Sequence, residues 1–541
     1  MDSPLLHTAR RVRTAVADEV DVAVVGCGLG GLQAAALLAQ AGLRVACFDH
    51  HYVAGGCATM FERGRSDARW RFDVGLHYIG DCGEDGAIPR LLAEAGVRDV
   101  AFAPMDPDGF DTLVFPGLTF RIPVGLEHYR ERLVATFPRE RRGIDRYCRF
   151  LSEVDHLASQ LGGRKGWAMA LQVVLHGRLA ARYRQATIQQ VLDDCTRDKA
   201  LQAVMLGQSG DYGVAPSQAS ALLHAGLALH YFKGAYYPKG GGQVLADRLA
   251  SRIEALGGSV HLRRGIDRIL VESGRAVGVQ IEADGKRDVQ QVRARTVVSN
   301  ADIHKTLLEL VGPAHLPAGY VSRVRQWTMG GALWVTCLGL QGDVRELGMT
   351  NSNIWQFDDL DVEAFYTATR RSGAFTPGGC YITSATVKDG SSGHAPPGCS
   401  TLEVMTLVPA SPAAWGLRAE DLANDQYRRM PAYLERKQAL QENLIARVDR
   451  LLPGAAGRIC LSESASPLTH TRFTRATDGT GYGLAATPAQ FLQGRPGYRS
   501  PVAGLYLAGA STRAGHGIVG ALNSGSQAAR RIAADLGVSL G

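Results

Sequence analysis

Residues 21–49, DVAVVGCGLGGLQAAALLAQAGLRVACFD, constrain the fold more than any other stretch of the chain. An apolar run from Val22 to Val25 enters the turn Gly26-Cys27-Gly28-Leu29-Gly30-Gly31. An Ala/Leu-rich helical segment follows as far as Ala41-Gly42, and a second apolar run, RVACF, ends at Asp49. This is Gly-x-Gly-x-x-Gly between a strand and a helix, with an acid about 20 residues further on, which is the context a dinucleotide needs. Gly26 makes the tight turn, Gly28 lets a pyrophosphate approach the backbone, Gly30 lies in the same turn, and Gly31 packs helix on strand. The helix start offers unpaired N–H groups and partial positive charge to the phosphates. Asp49 is placed to accept hydrogen bonds from ribose hydroxyls.

The sequence next to Asp49 and the far end of the chain extend the same site. His50 opens HHYVAGGCATMFERG, in which Gly55-Gly56 and the small Cys57, Ala58 and Thr59 suit backbone passing close to a phosphate or a ring edge. Near the end, GLYLAGASTRAGHGIVGALNSGSQAARRIA predicts a strand over 505–508, a turn through Gly509 and Ala510, and a helix entered at His516-Gly517-Ile518. One long cofactor pinned by the first and last segments accounts for both. Between them, FDVGLHYIG (72–80) reads as a strand: alternation puts Phe72, Val74, Leu76 and Tyr78 on one side and Asp73, Gly75 and His77 on the other. Gly75 would leave room for a ring; alternatively, Asp73 and His77 bond each other.

The rest of the composition narrows the class by exclusion. With 541 residues, 45% hydrophobic and 21% charged, the chain reads as a soluble protein of two to four domains. A net charge of +7 is spread rather than massed, and no nucleic-acid motif accompanies it. Ten cysteines include no C-x-x-C pair and imply reduced, mostly buried thiols and a cytoplasmic protein. The start of the chain has no apolar signal core, and no apolar run reaches the roughly 18 residues a membrane helix requires. Residues 164–184, RKGWAMALQVVLHGRLAARYR, have the pattern of a basic amphipathic helix peripheral to a membrane; a core helix with solvated basic ends has the same pattern. There is no H-E-x-x-H, G-x-S-x-G or P-loop signature, hence no expected metal, and no second dinucleotide fingerprint. NAD(P)H would therefore be a transient external donor, or another protein would supply electrons.

The motifs DVAVVGCGLGGL, HYVAGGCATMFERG, FDVGLHYIG, DYGVAPSQASALLHA, YPKGGGQVLADRL, SPLTHTRF and GLYLAGAS together resemble the flavin amine oxidase/phytoene desaturase superfamily. Within it the chain looks most like the branch of carotenoid cis–trans isomerases and retinol saturases. The resemblance implies an α/β fold. Its Rossmann-type FAD-binding domain would be built from residues 19–82, 220–305 and 455–541, with an inserted α+β substrate domain from 83–219 and 306–454. It implies FAD contacts at Gly26, Gly28, Gly31, Asp49, Gly56, Thr59, Ile266, Gly509 and Ala510. Isomerases of the branch often carry Asp where this chain has Ala510. The implied substrate is a hydrophobic polyene or isoprenoid, and the implied chemistry is net reduction, with or without ring closure as in polyene tetramate macrolactam pathways. Isomerisation by reduced FAD and desaturation are alternatives, and an amine oxidase is a distant one. Candidates for proton handling are His77, His230, Tyr231, Tyr237 and His516, followed by Tyr78, Tyr236, His470, Arg472 and Glu463. Cys57 reads as chosen for small size.

Overall fold

The computed structural model describes residues 15–65, 68–160, 176–283, 289–371, 376–390 and 393–540. The strand Glu19–Val25 pairs in parallel with Val45–Asp49 on one side and with Gln290–Ser299 on the other. Ser259–Leu262 extends the parallel array beyond Val45–Asp49, and Leu505–Leu507 pairs with the end of Gln290–Ser299. Ile266–Glu272 and Arg275–Ile281 complete the sheet as an antiparallel meander. Val22, Ala23 and Val24 are fully buried, as strands covered on both faces require.

The opening helix, Leu29–Gln40, packs between the helices Gly517–Leu536 and Gln243–Ala255. Small residues set the spacing: a Cβ on Gly525 would stand 2.3 Å from the Gly30 carbonyl oxygen. The first and last segments of the chain are thereby locked together, as the sequence implies. Gly31 does the packing expected of it, since a Cβ there would lie 2.3 Å from the Gly26 carbonyl oxygen.

The chain also forms a second sheet of seven strands. Its order is Ile459–Ala465, Ala332–Gln341, Cys399–Val408, Gly379–Thr383, Asn353–Phe357, Asp111–Phe115 and Leu118–Ile122. All its pairings are antiparallel except that of Asn353–Phe357 with Asp111–Phe115. Ile459–Ala465 is an edge strand here, although the sequence reading placed 455–541 wholly with the cofactor unit. Its register with Val335–Leu340 binds it to the inserted segment instead.

The expected strand over 72–80 is also interrupted. It runs only from Ala68 to Asp73, bends through 74–78 and resumes as Ile79–Gly80, which pairs with Ala235–Pro238. The cause is a backbone crossing, for a Cβ on Gly75 would sit 2.9 Å from the Cys57 carbonyl oxygen. Of the proposed amphipathic helix at 164–184, residues 164–175 lie outside the described residues. Arg178–Arg182 is a short helix, with Arg182 ion-paired to Asp194. Among the described residues, no helix is long and apolar enough to cross a membrane, and no cysteine is in a disulfide.

Candidate active site

The carboxyl ends of the parallel strands open into one cavity of about 1580 Å³. Ligand pockets commonly span roughly 300–1,000 Å³, so this chamber has room for two ligands in contact. Gly26, Gly28, Gly30, Asp49, His50, Gly55, Gly56, Thr59, Ile266, Gly509, Ala510, Gly517 and Ile518 all face it. So do Gly75, His77, His230, Tyr231 and His516, together with His470, Arg472 and Cys57. Gly31 and Tyr237 do not line it.

The glycine turn is built around Asn300, which follows the strand Gln290–Ser299. A Cβ on Gly28 would lie 2.6 Å from Asn300 Nδ2, one on Gly30 2.6 Å from Oδ1, and one on Gly509 2.9 Å from Oδ1. Asn300 was not singled out in the sequence. Its signal was a polar residue closing the apolar run TVVSNAD. The backbone N–H groups of Cys27 and His51 donate to Asp49 at 2.7 and 2.8 Å. Burial alone would raise the Asp49 pKa; His50 and these N–H groups outweigh it and hold the carboxylate below its usual range. Asp49→Ala is expected to weaken flavin binding by about 1.5–3 kcal/mol, roughly 10- to 150-fold, as read by fluorescence titration of the apoprotein.

Three histidines that face the chamber are neutral. His77 is buried, and neither ring nitrogen has a hydrogen-bond partner of normal geometry. Burial, then the nearby Lys388 ammonium, push its pKa to about 3. His516 precedes the last helix; its Nδ1 has no partner, and burial followed by Arg495 likewise brings it to about 3. His230 Nε2 accepts from the Gly80 N–H at 2.9 Å, and burial holds its pKa near 4. That bond occupies the imidazole with fixing the Ile79–Gly80 strand. None of the three carries an acidic proton at neutral pH.

Buried imidazoles also set the pH response of stability. His77, His224, His230, His470 and His516 all have folded pKa values of about 3 to 4 against 6.5 for the free side chain. Each takes up a proton on unfolding that it lacks when folded, so each contribution is intact above pH 6.5 and is lost as pH falls toward 4. Asp111, raised to about 6, and Asp73, Asp211 and Glu403, which burial also raises, act in the opposite sense over part of that window. Five imidazoles stand against these four carboxyls, and the thermal midpoint of the apoprotein is expected to fall between pH 6.5 and 5.

Two expectations need correction. Asp73 does not face the chamber: it turns inward, accepting from the Tyr237 hydroxyl and, at 2.9 Å, from the Gly242 N–H. Tyr237 is fully buried behind the wall as the partner of Asp73, so it touches no ligand in the chamber. Asp73 and His77 are therefore neither a shared ring-facing surface nor mutual partners. Glu463 lines the chamber but is ion-paired with Arg63. Cys57 lines the chamber, and desolvation raises its pKa to about 11. It is expected to react with iodoacetamide at pH 8 far more slowly than a free thiol.

Sequence reasoning named Tyr78 and Tyr231 but missed their neighbours Trp355 and Tyr381 and the acids Asp111 and Asp211. Tyr78 and Tyr231 stack with centroids 4.3 Å apart, Tyr381 meets Tyr78 at 6.2 Å, and Trp355 meets Tyr381 edge-on at 4.5 Å. The Tyr78 hydroxyl lies 2.5 Å from Asp211 Oδ2 and 3.1 Å from Asp111 Oδ2.

A dinucleotide-type mouth and an apolar far wall in one cavity are what a flavoprotein requires. The unpartnered nitrogens of His50, His77 and His516 and the bare glycine cradle fit such a cofactor. The sequence profile of the flavin-containing amine oxidoreductases matches residues 29–360 and 376–533. The chain belongs to that family. It is thus a flavin-dependent oxidoreductase with the amine-oxidase-like FAD-binding fold. Human all-trans-retinol 13,14-reductase is 29% identical over 94% of this chain and 84% of its own length. Its zebrafish counterpart is 28% identical over 91% and 83%. Carrot chloroplastic prolycopene isomerase is 25% identical over 96% and 81%. Among solved structures, putrescine oxidase bound to putrescine superposes with a TM-score of 0.60 at 19% identity, covering 95% of this chain and 99% of that one. An oxidoreductase from Methanosarcina mazei gives 0.59 at 18%, covering 94% and 99%.

Proposed function

We propose that this flavoprotein binds FAD through the glycine turn, Asp49, Gly56, Thr59, Ile266, Gly509 and Ala510, and saturates a C=C bond of a conjugated polyene or isoprenoid. The observation that carries the reading is the continuity of the chamber: the nucleotide mouth runs directly into a wall of Tyr78, Tyr231, Trp355, Tyr381 and Leu227. Such a wall favours a long apolar molecule and excludes water from the reacting bond. The likeness to proteins named retinol 13,14-reductases, over most of both lengths, supports reduction. When bound, reduced flavin supplies the hydride; the protein holds the double bond in place and manages the proton. NAD(P)H or a protein donor recharges the flavin from outside.

Cis–trans isomerisation is the second reading, favoured by the likeness to prolycopene isomerases. Amine oxidation fits the wall poorly. Two rings only 4.3 Å apart and nearly parallel leave no gap for an ammonium group between them. Incubating the enzyme with chemically reduced FAD, without oxygen, and a panel of polyenes separates the readings by product mass and absorption spectrum. Reduction adds two hydrogens and shifts the chromophore to the blue.

A further inference from the structure

Hydride addition to a C=C bond must be completed by a proton, and the neutral histidines of the chamber do not supply one. Asp211 does face the chamber. It sits in the single helical turn Ser209–Tyr212, where the Gly210 carbonyl accepts from the Tyr482 hydroxyl at 2.7 Å. Gly210 also lies against Trp355, so close that a Cβ would come within 2.4 Å of the ring. The carboxyl group is therefore positioned from behind by packing.

Hydrogen counting then identifies a proton. Asp211 Oδ2, the Tyr78 hydroxyl and Asp111 Oδ2 form a chain with two O···O contacts of 2.5 and 3.1 Å. Tyr78 contributes one hydrogen and Tyr231 donates separately to Asp211, so filling both contacts of the chain requires a further hydrogen on one of the carboxyls. Asp111 is the better-solvated anion: Asn353 Nδ2 donates to it at 2.8 Å and Gln208 Nε2 at 2.7 Å. The titratable groups packed around Asp211 are Asp111, Tyr78, Tyr212, Tyr231, Tyr366, Tyr381 and Tyr482, with the neutral His516 beside its backbone; none is a cation.

We propose that Asp111 and Asp211, joined through Tyr78, share one proton, and that Asp211 delivers it to the carbon next to the one receiving hydride. The π bond is lost and two C–H bonds form. One takes the hydride pair from reduced flavin, which is left oxidised; the other takes the proton, leaving the pair dianionic until water reprotonates it. Burial and the Asp111 charge raise Asp211 well above the ordinary carboxyl range, and burial brings Asp111 to about 6. Both directions keep the proton on the pair near neutrality. The assignment of Asp211 as proton donor rests on the reductase reading; the shared proton does not.

The test has an arm for each. Infrared difference spectra of the holoenzyme without substrate, taken from pH 5 to 10, are expected to show a protonated carboxyl C=O band at pH 7. Glu403, also raised by burial, contributes to the same region, so the signal is the part of the band that Asp211→Asn removes; it should shift in D2O and disappear at alkaline pH. Absence of a wild-type-minus-variant band at pH 7 overturns the shared proton, whatever the substrate proves to be. With a polyene that the wild type reduces, Asp211→Asn should lower single-turnover reduction by about 10²–10⁴-fold while retaining the flavin spectrum. Turnover in D2O should place two deuteriums in each reduced bond, one from Asp211 and one from the reduced flavin, whose transferable hydrogen exchanges with solvent. Reduction by the variant at the wild-type rate overturns Asp211 as donor. Tyr78→Phe, which keeps the ring stack, is expected to move the pH of the alkaline loss; an unchanged titration overturns the coupling through Tyr78.

Discussion

Replacing Gly28 with valine is expected to yield folded protein that purifies without flavin colour. The backbone at Gly28 has φ −71°, an ordinary value for any residue, so the effect is one of space and not of chain strain. A first methyl carbon already stands 2.6 Å from the Asn300 amide, and a Cβ on the neighbouring Gly56 would come within 3.2 Å of the Gly28 Cα. The branched carbons of valine must enter the chamber where the turn faces it. Overpacking of about 1–3 kcal/mol translates into roughly 5- to 150-fold weaker binding, before any lost approach to the phosphates is counted. Flavin content and a melting curve of the same sample check the result. Gly31→Ala is the contrasting variant. Its Cβ collides with the Gly26 carbonyl oxygen inside the fold, so that variant should lose thermal stability.

Lys388→Met is expected to destabilise the protein by about 3–5 kcal/mol, because it strands buried carboxyl groups. Lys388 is buried; its ammonium donates to the His77 carbonyl and to Thr383 Oγ1 and lies 4.8 Å above the Tyr237 ring centroid. Glu403 and Asp73 share its surroundings. Burial pushes the lysine down, and burial together with the Asp73 charge pushes Glu403 up. The lysine is the cation that balances this cluster and fixes the backbone of His77 from behind the chamber wall. Adding Asp73→Asn to Lys388→Met should recover part of the loss, since one carboxylate is then removed as well. The thermal midpoints of the two single variants and the double variant measure that coupling; strict additivity would contradict it.

The cofactor half of this molecule was readable because its signals are local. The turn at 26–31, the acid at 49 and the strand–turn–helix at 505–518 each declare themselves within about one supersecondary unit. All but Gly31 among the cofactor contacts expected there reach the chamber, and Gly31 packs as its place in the fingerprint implied. The substrate half was not readable, because its contacts join distant segments. Tyr78 meets Asp211 across 133 residues, and Lys388 reaches the His77 carbonyl across 311. No periodicity in either partner encodes such a meeting. The alternation over 72–80 misled for a related reason: the Cys57 backbone presses on Gly75 and turns Asp73 inward and Tyr78 toward the acids. Asp211 lay within DYGVAPSQASALLHA, a stretch that pointed to the family without revealing its carboxyl as part of the wall.

The central claim is net reduction, and the most direct measurement is the mass of the product. Holoenzyme with chemically reduced FAD, kept anaerobic and given all-trans-retinol and related polyenes, is expected to release a product heavier by two hydrogens with a shortened chromophore. A product of unchanged mass and altered retention would contradict the account and assign this flavoprotein to isomerisation.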